Sequence, residues 1–211
     1  MTTARHKRDV GDVTFNGLKL LTSPGVVMTP RPASEQLVAA ACARIGDGEA
    51  RVVDVGTGSG AIAIAIARAC PHAEVWATDT SLSAVRLARG NVRRHGLAAR
   101  VLVRRGDLLA PVLGPFDVIV ANLPYMPASS ASDHPELKAE PFAAVFARGD
   151  GLDAYRRLID GAMMRLADGG VLLLQLDRRL VSADRSELPA LAAALAVPGS
   201  QLAGALFAEA A

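Results

Sequence analysis

From Arg51 to Leu176, short apolar runs alternate with longer stretches in which apolar residues recur every three or four positions. The runs predict strands at Arg51–Val55, Glu74–Thr78, Arg100–Arg104, Phe116–Ala121 and Gly170–Leu176. Helices are predicted between them, near Ser59–Ala69, Ser81–His95 and Leu152–Ala167. Apolar strands separated by amphipathic helices specify a mostly parallel sheet covered on both faces, the doubly wound α/β class. One segment is ambiguous by period. Ala61 to Ala67 alternates alanine with isoleucine, but both residues are apolar, so the alternation carries little information. A glycine turn directly before it points to a helix.

Ahead of this region, Val13-Thr14-Phe15, Asn16-Gly17 and Leu18 to Leu21 predict an N-terminal hairpin, because Asn-Gly supplies the positive φ angles of a type I′ turn. The linker Thr29-Pro30-Arg31-Pro32 leads into a helix with Leu37, Val38, Ala41 and Ile45 at helical spacing and Ser34 as its expected cap. Residues 1–12 read as a flexible basic tail and 13–211 as a single domain. After the last run the pattern fades into an Ala-rich tail, in which Leu202–Phe207 offers one short strand, so the C-terminal strands look truncated. An unpaired sheet edge at Val171–Leu176 would invite self-association or a partner.

Composition narrows the picture. A chain of 211 residues with 51% hydrophobic and 21% charged residues is an ordinary globular domain. A net charge of +2 makes no electrostatic demand for nucleic acid, and 4% aromatics is thin for a single-strand stacking platform. Cys42 and Cys70 are too far apart for a zinc motif, and His6, His72, His95 and His134 are scattered without ligand spacing, so no metal site is expected. The N-terminus has no signal-peptide pattern and the longest apolar run is too short to span a bilayer, so a cytoplasmic protein without membrane attachment is expected.

Four motifs carry chemistry. Asp54-Val55-Gly56-Thr57-Gly58-Ser59-Gly60 follows a strand, where glycines let the backbone turn tightly and approach a ligand. Its D-x-G-x-G-x-G spacing is neither the dinucleotide fingerprint nor a P-loop. Asp79 closes the next strand, placed either to accept ribose hydroxyls or to cap the following helix. Gly106-Asp107-Leu108 lies after the third strand, as an adenine contact or a surface turn. Asn122-Leu123-Pro124-Tyr125 follows Val118-Ile119-Val120. Asn122 offers an acceptor and two donors, Pro124 keeps Leu123 extended so that its carbonyl can be aimed, and Tyr125 supplies a ring face.

These residues resemble class I S-adenosyl-L-methionine-dependent methyltransferases, and within them the HemK/PrmC-type release-factor glutamine N5-methyltransferases. Asn122-Leu123-Pro124-Tyr125 resembles that family's N-P-P-Y. Thr29-Pro30-Arg31-Pro32-Ala33-Ser34-Glu35 resembles P-R-P-x-[TS]-E, and Gly149 to Ile159 resembles G-x-D-G-L-D-x-Y-R-x-L-I. The resemblance runs from about Phe15 to Leu174. It implies a Rossmann-like fold and S-adenosyl-L-methionine held by Asp54, Gly56, Thr57, Gly58, Ser59, Gly60, Asp79, Asp107, Leu108 and Asn122. It also implies a glutamine amide of a protein, such as a release factor, bound by the Asn122 side-chain oxygen and the Leu123 carbonyl, with Pro124 stiffening the turn and Tyr125 packed on the amide plane.

Leu123 departs from the family's proline, and the helical recruiting domain that the resemblance would place ahead of Val13 is not expected from residues 1–12. A homo-oligomer or a small activator subunit is the partner expected to cover the C-terminal edge. Two rivals remain. N-P-P-Y is shared with adenine-N6 methyltransferases of RNA or DNA, and Arg86, Arg89, Arg93, Arg94, Arg100, Arg104 and Arg105 supply basic residues. The other rival is a non-catalytic cofactor-binding scaffold of the same fold.

Overall fold

Strands buried on both faces have no polar side to show, and here they pair side by side in parallel. A computed structural model describes residues 10–176 and the backbone of 206–207. In chain order the elements are β1 (Gly11–Phe15), β2 (Leu18–Thr22), α1 (Ala33–Ile45), β3 (Ala50–Val55), α2 (Ala61–Ala69), β4 (Ala73–Asp79) and α3 (Leu82–Arg94). There follow β5 (Val101–Arg105), β6 (Phe116–Ala121), β7 (Met126–Pro127), α4 (Phe142–Val145), β8 (Phe146–Ala147), α5 (Asp153–Met163), β9 (Leu166–Leu176) and β10 (Leu206–Phe207). The main sheet has six strands in the order β10-β9-β6-β3-β4-β5. The chain runs from β3 outward through β4 to β5, then crosses back to β6 on the other side of β3. Neighbours β3 and β6, in register from Val52↔Val118 to Val55↔Ala121, therefore flank the topological switch point, where open α/β sheets bind ligands.

Successive residues of these strands feed opposite cores. Val52, Val118, Val120 and Leu173 pack with α1, α2 and α3, whereas Val53, Val55, Ile119 and Leu172 pack with Tyr155, Leu158 and Ile159 of α5. Every residue of Ala61–Ala67 is buried, as expected of a helix that is apolar all round. The hairpin is present, with φ of 47° at Asn16 and 72° at Gly17. No helix of the described residues is long and apolar enough to cross a membrane.

Several boundaries differ from the sequence reading. The hairpin begins at Gly11, so Gly11 and Asp12 belong to β1 and not to the tail; Val10 is exposed ahead of it, and residues 1–9 of the expected tail lie outside the described residues. Ser34 does not cap α1, because Pro32, with its φ of −54°, already takes the N-cap position and Ser34 is buried in the first turn. The glycine loop extends to Gly60, so α2 starts at Ala61. The helix expected to reach Ala167 stops at Met163, because the Arg165 carbonyl accepts from Phe116 N–H and pulls the chain into the sheet. Strand β9 thus begins at Leu166, with a register shift opposite Phe116 and Val118. Gly170 sits at that irregularity, where a Cβ would lie 2.8 Å from the Phe116 carbonyl. The outer side of β9 is not wholly open: β10 pairs with Gln175 and Leu176, in parallel, and the rest of the Ala-rich tail lies outside the described residues.

The basic residues are largely built into the fold. Arg100 donates to the carbonyls of Ala67 (2.7 Å), Ala73 (3.1 Å) and Cys70 (3.4 Å), at the C-terminal end of α2 where a cation is favoured. Arg89 donates to Val103, Arg105 to Thr80, and Arg94 pairs with Asp12. Replacing Arg100 with methionine keeps the aliphatic stem and strands those carbonyls. The expected loss is about 2 kcal/mol of unfolding free energy by urea titration; an unchanged midpoint would show that the guanidinium contributes nothing there.

Candidate active site

A cleft of about 320 Å³ opens at the carboxyl ends of β3, β4 and β6. A smaller hollow of about 60 Å³ adjoins it between the glycine loop and the Met28–Arg31 linker, and Gly56, Gly58 and Asn122 line both. The three loop glycines have positive φ, 75° at Gly56, 56° at Gly58 and 86° at Gly60, a region that side chains with a Cβ rarely adopt. Gly56 is needed on a second count: a Cβ there would stand 2.6 Å from Leu123 Cδ2. At Gly58 a Cβ would meet nothing within 4 Å, so this backbone forms an open cradle wall for a ligand.

Asp79 holds the loop's shape. Its Oδ2 accepts Gly58 N–H at 2.9 Å and its Oδ1 accepts Ser81 N–H at 2.8 Å. Burial raises its carboxyl above the ordinary range, against the lowering effect of the two amide bonds. Ser81, not Asp79, caps α3, by accepting from Ala84 N–H. Leu108, with a φ of 46°, turns its carbonyl onto the Thr78 hydroxyl at 2.8 Å, and Asp107 pairs with Arg157 of α5. Both Asp107 and Leu108 line the cleft.

Asp54 lies behind the loop, not on its open side. It is 0% exposed, and its Oδ2 accepts from the Thr57 hydroxyl at 2.6 Å and from Ala63 N–H at 3.1 Å. Its Oδ1 has no partner. Burial pushes its carboxyl up to about 7, opposed by those hydrogen bonds and reinforced by the charge of Asp79.

On the β6 side, Asn122 Nδ2 donates to Ser34 Oγ of α1 at 3.1 Å, which leaves Oδ1 as the amide's acceptor at the junction of the cleft and the hollow. The Leu123 carbonyl accepts from the buried Tyr155 hydroxyl at 2.9 Å. Among the residues proposed from sequence, Gly56, Gly58, Asp79, Asp107, Leu108, Asn122, Leu123 and Pro124 line the cleft, and Thr57 and Ser59 line the hollow. Asp54, Gly60 and Tyr125 line neither; Tyr125 packs against the core on the α5 side. Ser34 and Tyr155 were missed as site residues, although both lie in stretches whose motifs stood out. No group of three metal-capable side chains occurs among the described residues.

A sheet of this order, with a glycine loop after β3 and Asn-Leu-Pro-Tyr after β6, is the Rossmann-like class I methyltransferase fold. Residues 18–135 match the family model of the methyltransferase small domain, and the chain belongs to that family. It is 42% identical over 193 residues to a release factor glutamine methyltransferase of Deinococcus radiodurans, covering 90% of this chain and 66% of that protein. The corresponding enzyme of Gloeobacter violaceus is 44% identical over 171 residues, 79% of this chain and 59% of that one. The chain thus spans about six tenths of the length of the curated relatives it matches. A solved ribosomal protein L11 methylase from Lactobacillus delbrueckii subsp. bulgaricus superposes with a TM-score of 0.55 at 27% identity, over 82% of this chain and 72% of that one.

Asp54 makes a pH prediction. Its carboxyl is raised in the folded state from the ordinary value of 3.8 to about 7, so the folded state holds a proton that the unfolded state has released. The stability that Asp54 contributes is therefore fully present below about pH 4 and is lost as pH rises through 7. Asp54→Asn keeps an acceptor for Thr57 and Ala63 without the titration. In ligand-free protein, melting points of the parent should fall relative to Asp54→Asn between pH 4 and 7 and run parallel above; identical profiles would contradict the assignment.

Proposed function

We propose that this chain transfers a methyl group from S-adenosyl-L-methionine to the side-chain amide nitrogen of a glutamine in a protein, with a peptide-chain release factor as the acceptor. The observation that carries the reading is Asn122: its amide N–H end is held by Ser34, so its Oδ1 is left at the junction of the two cavities as an acceptor for an incoming N–H. The names borne by the relatives from Deinococcus radiodurans and Gloeobacter violaceus support the choice of acceptor.

The cofactor fits what the residues offer. Gly58 leaves room beside its backbone, Asp79 can accept from ribose hydroxyls with lone pairs beyond those facing Gly58 and Ser81, and Asp107 and Leu108 close the cleft's far side. Bound there, the cofactor supplies a methyl group on a sulfonium, a good electrophile. The protein's task concerns the other reactant. An amide nitrogen is a poor nucleophile because its lone pair is delocalised into the carbonyl. Asn122 Oδ1 and the Leu123 carbonyl accept the two amide N–H groups, fix the plane of the amide and aim its nitrogen along the axis of displacement. On methylation the substrate nitrogen would give up one of its two protons to solvent, and the other N–H would stay on its acceptor. Positive charge develops on the nitrogen, and the two acceptor dipoles stabilise it, so no strong base is required.

Purified protein incubated with a release factor and isotope-labelled S-adenosyl-L-methionine should yield one methyl group on a glutamine, located by mass spectrometry. Label on an adenine of RNA or DNA, with none on protein, would overturn the reading. Asn122→Ala should slow transfer about a hundredfold or more, the scale for losing a preorganised polar contact, while calorimetry finds S-adenosylhomocysteine affinity changed far less. Equal losses in both would make Asn122 a cofactor ligand first.

A further inference from the structure

The Asp153-Ala154-Tyr155-Arg156 part of α5 carries a residue that no step above uses. Tyr155 is 0% exposed, and its hydroxyl stands between the turn after β6 and the end of β9. Oη lies 3.0 Å from Leu123 N, 2.9 Å from the Leu123 carbonyl and 2.7 Å from the Gln175 carbonyl. The Leu123 N–H donates to Oη, and the single hydroxyl proton serves the two carbonyls. Burial raises the phenol above its ordinary value, so the hydroxyl keeps its proton at any working pH. An oxygen that approaches N and O of one residue this closely sits where a partner strand would sit, which is possible only when that residue is extended.

The geometry matters because of what position 123 lacks. A proline there would fix φ through its ring; leucine has no ring, but it has the N–H that proline would not. We propose that Tyr155 is a positioning residue for methyl transfer: its hydroxyl grips the N–H and the carbonyl of Leu123 and holds this peptide in the extended shape that a proline would otherwise impose. The second lone pair of the Leu123 carbonyl is thereby aimed at the cleft that Leu123 lines. The same hydroxyl ties this peptide to the end of β9 through Gln175, so the site is braced from the strand next to β6. This inference rests on reading Asn122 and Leu123 as the acceptors of a substrate amide.

The test uses the full chain as Tyr155→Phe, Leu123→Pro and the double variant. Tyr155→Phe deletes only the hydroxyl. Hydrogen exchange at the Leu123 amide should accelerate about tenfold or more, the equivalent of one lost hydrogen bond, while the amides of Val118, Ile119 and Val120 in β6 stay protected. In single turnover with a release factor, kcat should fall about tenfold, with the acceptor KM and the S-adenosylhomocysteine Kd within about twofold. Adding Leu123→Pro to Tyr155→Phe should recover most of that loss, because the ring restores the φ restraint. A merely structural tyrosine would not be rescued by a proline thirty-two residues away. Unchanged exchange at Leu123, an unchanged kcat in Tyr155→Phe, or no recovery in the double variant would each overturn the proposal. A parent chain that binds S-adenosylhomocysteine yet methylates no release factor refutes the amide reading instead, and the exchange rate at Leu123 then decides the grip by itself.

Discussion

The parallel register between β3 and β6 is the constraint from which the rest of the site follows. Val55 stands beside Ala121 at the carboxyl edge, so the next residues out, Gly56 and Asn122, are neighbours with no connecting loop to place them. Register is strongly held here because both faces are buried: a slip of one residue would exchange the α2-facing and α5-facing side chains of a whole strand. The same adjacency limits what can stand after β3. The Leu123 side chain occupies the space a Cβ at position 56 would need, so the glycine is set by packing against the second motif as well as by its own φ.

Loops at a sheet edge would still wander if nothing bound their backbones, and here three side chains from distant helices do so. Asn91 of α3 is 0% exposed and uses both its donors and its acceptor oxygen, accepting from Leu21 N–H and donating to the carbonyls of Leu21 and Ser59. It thereby joins the hairpin to the glycine loop. Ser34 of α1 orients the Asn122 amide, and Tyr155 of α5 engages Leu123. Each is a buried polar group whose partners are backbone or side-chain groups of the site. Removing one member strands the others in a dry interior, and that cost keeps the arrangement single-valued.

This division explains what could be read from the sequence. The five long strands, the helical character of Ala61–Ala67 and the Asn16-Gly17 turn were visible because burial on two faces and positive φ leave local marks. The end of α5 near Ala167 was not, because Arg165 answers to Phe116, forty-nine positions away, and local periodicity does not register a hydrogen bond across the sheet. Ser34 has the composition of a helix cap and the location of one, and only the tertiary structure turns its hydroxyl toward Asn122. Asp54 opens a motif that reads as a ligand cradle, yet the strand carries its side chain under the loop, where it serves Thr57 and Ala63. The arginines that suggested a nucleic-acid face are partly accounted for by carbonyls and by Asp12, which composition alone could not indicate.

The bonding inside the glycine loop also bears on which ligands it can hold. A loop that cradles phosphate keeps its backbone N–H groups free to converge on the anion. In this loop Gly56 N–H and Thr57 N–H both donate to the Thr78 carbonyl, Gly60 N–H donates to the Thr57 carbonyl, and Gly58 N–H is taken by Asp79. Ala63 N–H, in the first turn of α2, is taken by Asp54. The amides of Gly56, Thr57, Gly58, Gly60 and Ala63 are thus committed, and that of Gly58 to an aspartate that lines the cleft. What the loop offers in their place is a narrow wall without side chains at Gly58, with acidic groups beside and beneath it. Such a wall suits a ligand that is cationic and carries hydroxyls more than one that carries phosphates. The D-x-G-x-G-x-G motif and Asp79 are therefore one device: Asp54 holds the Ala63 amide from beneath the loop, and Asp79 holds the Gly58 amide from the cleft side.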